Sequence, residues 1–152
     1  MTASELLIVE PSAWWAPALR RIAPELAVRE VRTMTQAELR LDELAAQFVV
    51  VEAIERWLDE LTIWLSRFTR RWPEANIAVV TRAPLRSLRW LFLEAGAAWV
   101  ATGFLEAPAI AAAARRHLAQ TTAAQPPIEQ QSLSECCDHY WNQLPWPKAA
   151  QR

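Results

Sequence analysis

Three apolar runs end on an oxygen-bearing side chain: LLIVE on Glu10, QFVVVE on Glu52 and NIAVVT on Thr81. Carboxylate oxygens suit hard divalent cations. Two carboxylates without a third protein ligand do not make a metal site, so neither metal nor cofactor is assigned. Cys136, Cys137 and His139 offer softer ligands. Structural zinc takes four ligands in two separated pairs, however, and nothing else completes that set. His117 follows Arg115 and Arg116 near a helix end, where a cation suits the dipole. Neither histidine has a nucleophile for a partner, and no glycine-rich phosphate loop is present. What remains is oxygen chemistry at the ends of apolar runs, and its use depends on the fold that gathers those ends.

Short apolar runs alternate with longer amphipathic ones from residue 5 to residue 120, the pattern of a parallel sheet covered by helices on both faces. Strands are expected at Leu6 to Glu10, Leu26 to Arg32, Gln47 to Glu52, Asn76 to Thr81 and Ala97 to Gly103. The second strand is more polar than the others, which places it near an edge. Helices are expected between them. The first covers SAWWAPALRRIA, where Pro17 must kink it or delay its start. The second opens on a Thr35/Glu38 capping box and runs through about Ala45. A long third helix runs from Ile54 to Trp72, a fourth from Pro84 to Ala95, and a fifth covers APAIAAAARRHLAQ with Pro108 in its first turn. Right-handed crossovers then give an open, doubly wound sheet whose site lies at the carboxyl ends of the strands. Of the 2 glycines, Gly96 stops the fourth helix and Gly103 closes the fifth strand.

Composition narrows the functional classes. A chain of 152 residues with 53% hydrophobic content suits one domain with a proper core. Its formal net charge of -1 gives no reason to expect a nucleic-acid partner. The amino end lacks a signal-peptide pattern and no apolar run approaches a membrane span, which places the protein in the cytoplasm and away from membranes. The adjacent Cys136 and Cys137 cannot staple distant segments, in keeping with a reducing compartment. Of the 16 basic residues, 15 are arginine, and the single lysine is Lys148.

In this order and at these spacings, LLIVE, QFVVVE, NIAVVT and LEAGAAWVATG resemble the receiver domain of bacterial two-component response regulators. The resemblance covers residues 4–120 and implies a flavodoxin-like α/β fold, a five-stranded parallel sheet of order 2-1-3-4-5. It also implies a degenerate site. Where receivers keep an acidic pair after strand one, this chain has Glu10 and Pro11. Glu52 replaces the phosphoryl-accepting aspartate, Thr81 keeps the hydroxyl, and Gly103 replaces the lysine. Phosphoryl transfer relies on cations that neutralise developing charge. Losing a metal ligand and the lysine therefore points to a pseudo-receiver, not an enzyme, acting by protein–protein interaction. Glu52 then either imitates a phosphorylated aspartate, satisfied by Thr81 and by Arg56 or Arg82, or is an ordinary solvated carboxylate. A regulator that still takes phosphate or Mg²⁺, and a small-ligand binder or enzyme using the strand ends, are the competing expectations.

The 9 tryptophans divide by position. Trp57, Trp64, Trp72 and Trp99 are expected in the core. Trp14 and Trp15 either pack at the start of the first helix or cover the site. In the fourth helix Leu85, Leu88, Phe92 and Ala95 make the inner stripe, leaving Arg86, Arg89, Trp90 and Leu93 outward. The resemblance implies a partner or homodimer face made by the fourth helix, fifth strand and fifth helix, where Trp90 is either an exposed hot spot or a ring lying over its own helix and partly shielded. Residues 121–131 read as a linker. Residues 132–152 read as a helical tail whose Leu133, Cys137, Tyr140, Trp141 and Leu144 share a face, with Trp146 just beyond. That tail either folds back on the domain or docks in a groove of a partner protein, and its apolar surface favours folding back.

Overall fold

A computed structural model describes residues 5–44 and 47–124. The predicted tail, with Leu133, Cys137, Tyr140, Trp141, Leu144 and Trp146, lies outside the described residues. Five strands, β1 (Glu5–Val9), β2 (Ala27–Val31), β3 (Phe48–Glu52), β4 (Asn76–Val80) and β5 (Trp99–Ala101), form one parallel sheet of order β2-β1-β3-β4-β5. The helices are α1 (Trp15–Ile22), α2 (Met34–Glu43), α3 (Leu58–Arg71), α4 (Arg89–Glu94) and α5 (Ala107–Ala124). This is the flavodoxin-like architecture expected from the alternating pattern.

Alternation along the strands divides the interior into two layers. Leu7, Val9, Val49, Val51, Ile77, Val79 and Val100 face α2, α3 and α4. Leu6, Ile8, Phe48, Val50, Ala78, Val80 and Ala101 face α1 and α5. The first layer is aromatic, with Trp64, Phe68 and Trp72 in mutual contact at ring-centroid distances of 5.2–6.4 Å. Both indole N–H groups there donate to carboxylates of α2, Trp64 to Glu38 at 3.0 Å and Trp72 to Asp42 at 2.9 Å. Trp64 and Trp72 thus each keep a partner for their one polar atom, whereas the indole nitrogen of the buried Trp15 has none among the described residues.

Local departures from the sequence pattern have local causes. Pro17 delays α1, which starts at Trp15; the missing N–H is then one of the helix's free first-turn groups. The cap of α2 is Thr33, not Thr35: its hydroxyl accepts from the Gln36 N–H, and the Gln36 side chain accepts in turn from the Arg32 N–H. The third and fourth helices each begin as 3-10 turns, at Glu55–Trp57 and Ala83–Leu88. In the second of these a period of three turns both Leu85 and Leu88 inward. Leu93 also packs against the core, correcting its outward assignment. Trp99 is 36% exposed, because β5 is an edge strand and a core position needs cover on its face.

Gly96 ends α4 as expected. Its N–H donates to the Leu93 carbonyl and the Ala97 N–H to the Phe92 carbonyl, the paired bonds of a Schellman cap. Its φ of +118° needs glycine, and an added Cβ would sit 3.2 Å from the Leu65 carbonyl oxygen.

Candidate functional site

Because every strand is parallel, β1, β3, β4 and β5 deliver Glu10, Glu52, Thr81 and Gly103 to the same end of the sheet. Glu10 is fully buried, and its carboxylate is committed to a structural task. Oε2 accepts from the Trp14 and Trp15 N–H groups at 2.9 and 2.7 Å, and Oε1 from the Ala16 N–H at 2.7 Å. Glu10 therefore satisfies the free donors at the amino end of α1, where the dipole also favours a negative charge.

Glu52 is 1% exposed, so it is not a solvated carboxylate. Its Oε2 accepts the Ser12 hydroxyl at 2.6 Å and the Ser12 N–H at 3.4 Å. Its Oε1 lies 3.4 Å from Arg82 Nε but accepts no hydrogen bond among the described residues. Arg82 thus takes the expected pairing role. Arg56 does not: its guanidinium lies over the Trp57 ring, 5.7 Å from the centroid. The Thr81 hydroxyl is buried without a hydrogen-bond partner among the described residues, so it does not satisfy Glu52 either.

The loop between β1 and α1 closes over this pair. Arg32 donates to the carbonyls of Glu10 and Pro11 at 3.4 and 3.2 Å. Ala13 adopts a φ of 57°, a left-handed conformation that costs a non-glycine residue about 1–2 kcal/mol. Ser12, Glu10 and Arg32 hold the loop around that strained residue. Trp14 remains 59% exposed, with the Arg82 guanidinium over its ring at 5.5 Å and Phe104 at 6.4 Å. Trp15 is buried against Phe104 at 4.5 Å. The two tryptophans therefore separate, one covering the Arg82–Glu52 pair and one packing in the core.

Gly103 lies in extended backbone, with open space where a Cβ would stand. Nothing steric demands glycine there. Beside the site, Ala53, Ile54, Glu55, Arg56, Arg82, Pro84 and Leu85 line an open groove of ≈ 400 Å³. Further along, Arg86 and Arg89 are exposed and Trp90 is 73% exposed.

Neither a family model nor a curated protein sequence matches the chain. Solved structures do. TadZ, a CheY-like protein from Pseudomonas aeruginosa PAO1, superimposes with a TM-score of 0.64 at 14% identity, covering 75% of this chain and 98% of its own. HP1043, an orphan response regulator of H. pylori, gives 0.62 at 13% identity over 76% of this chain and 97% of its own. An atypical orphan response regulator, described as revealing a phosphorylation-independent regulatory mechanism, gives 0.61 at 14% identity over 76% and 95%.

The fold is that of a receiver domain.

Three residues of this receiver-fold site were not legible in advance. Ser12 lies in a loop and bonds a residue 40 positions away, which no local pattern signals. Phe104 and Arg32 enter through the same loop packing. No helix among the described residues is long and apolar enough to cross a membrane.

Proposed function

We propose that the chain is a pseudo-receiver of cytoplasmic signal transduction that works by protein–protein interaction, without phosphorylation. The observation that carries this reading is the buried Glu52 carboxylate, held by Ser12 and faced by Arg82. A carboxyl group with its own hydroxyl and guanidinium partners needs no phosphoryl group to fix the loop around it.

The donor set does not fit Mg²⁺, the ion that serves phosphoryl transfer in receivers. Both Glu10 oxygens hold backbone N–H groups of α1, and withdrawing them would leave buried donors unpaired. Glu52 already faces the Arg82 cation. No cluster of three or more metal-ligating side chains occurs among the described residues. A structural relative described as phosphorylation-independent lends the reading further support.

Amide NMR during titration with Mg²⁺ and then beryllofluoride tests it. The expected spectrum is unchanged. Saturable shifts centred on Glu10, Glu52 and Thr81 would overturn the proposal.

A further inference from the structure

The groove beside the site has an apolar floor, Ala53, Ile54, Pro84 and Leu85, between the Arg56 and Arg82 side chains. Arg86 and Arg89 extend the positive charge along the same connection into α4. Arg56, Arg86 and Arg89 have no ion-pair partner among the described residues, and Glu55 is the one acidic side chain lining the groove. An occupant should therefore be acidic and amphipathic. The chain itself contains such a segment. Between Gln125 and Pro147 stand Glu129, Glu135 and Asp138 without any lysine or arginine, and the sequence spacing puts Leu133, Tyr140, Trp141 and Leu144 on one helical face.

We propose that residues 132–144 of the same chain dock in the Arg56–Arg82 groove, apolar face down, with Asp138 on the flank toward Arg86 and Arg89. The contact is of the helix-in-groove kind. It does not depend on whether Glu52 accepts a phosphoryl group.

The reach is sufficient. α5 has 18 residues and runs back from the carboxyl ends of the strands, so Ala124 lies toward the opposite end, about 27 Å away along the helix. The 8 residues from Gln125 to Ser132 span up to ~28 Å when extended, and a helix over 132–144 adds about 20 Å. A second recess, ≈ 260 Å³ between Phe48, Asn76, Trp99, Arg116 and His117, lies closer to Ala124. It is smaller, and Arg116 is its only arginine.

The test uses the full chain with a nitroxide on Cys136 in a Cys137→Ala background, read by paramagnetic broadening of amide signals. Expected is loss of intensity at Ala53, Ile54, Arg56 and Leu85, with Asn76 and His117 spared. Arg86→Glu with Arg89→Glu, both at exposed positions, should restore that intensity and leave the rest of the spectrum unchanged. Broadening at Phe48, Asn76 and His117 instead, no broadening, or broadening indifferent to charge reversal would each overturn the proposal. A mixture of spin-labelled chain and isotope-labelled chain supplies the last control. Broadening transferred between chains there would mean that a second copy provides the segment, and intramolecular docking would fail.

Discussion

Ser12 donates its hydroxyl to Glu52 at 2.6 Å across 40 positions of sequence, tying the loop after β1 to the end of β3. Hydrogen bonds to a buried charge are the costly ones to break, since the carboxylate cannot turn to water. Ser12→Ala should therefore destabilise the fold by about 1.5–3 kcal/mol. Arg82→Ala should cost less, about 0–1 kcal/mol, because its side chain is 51% exposed and screened. Urea midpoints at neutral pH rank the two variants. The opposite order would assign the dominant role to the ion pair.

Glu10→Ala removes the acceptor for three backbone N–H groups at once. Two of those bonds are buried, so a loss on the order of 3 kcal/mol is expected. Amide exchange at Trp14, Trp15 and Ala16 should accelerate more than exchange in β3. A uniform change across the molecule would mean that the cap is not local.

The two glycines should respond oppositely to alanine. Gly96→Ala forces a side chain into positive φ and against the Leu65 carbonyl, and should cost about 1–3 kcal/mol. Gly103→Ala, in extended backbone with nothing within 4 Å, should stay within about 0.5 kcal/mol of the parent. Thermal melting of both variants decides the matter.

His117 is 9% exposed, and Asn76 lies 2.9 Å from its Nδ1. Burial lowers its pKa below the ordinary 6.5, and interactions with the backbone of Gln47 and Glu74 oppose the shift without reversing it. The unfolded chain therefore takes up the proton first as pH falls. The stability reference holds above about pH 6.5, declines below it, and levels off once pH passes the folded value. His117→Gln should flatten the dependence of the urea midpoint between about pH 7 and 5.5. An unaltered slope would assign it to other groups.

The order of elements was legible because a buried parallel strand and an amphipathic helix have different periods, and each repeats here without interruption. Glu10, Glu52 and Thr81 were legible for the same reason, each standing where an apolar run stops. The capping-box spacing fits Thr33 with Gln36 as well as it fits Thr35 with Glu38, and it is the Thr33 hydroxyl that accepts the helix N–H. Trp99 was misplaced because apolar type does not reveal whether an edge strand's face is covered. The role of Ser12 depends on tertiary proximity alone.

The donors that hold Glu10 are main-chain N–H groups of Trp14, Trp15 and Ala16, not their side chains. In a drifting gene those three codons are consequently free to change without loss of the cap, unless one of them comes to encode proline. Codon 10 has no such latitude. Heritable variation around this loop should therefore be uneven for two different reasons, with Glu10 restricted by the bonds it accepts and Trp15 and Ala16 only by the room their buried side chains fill.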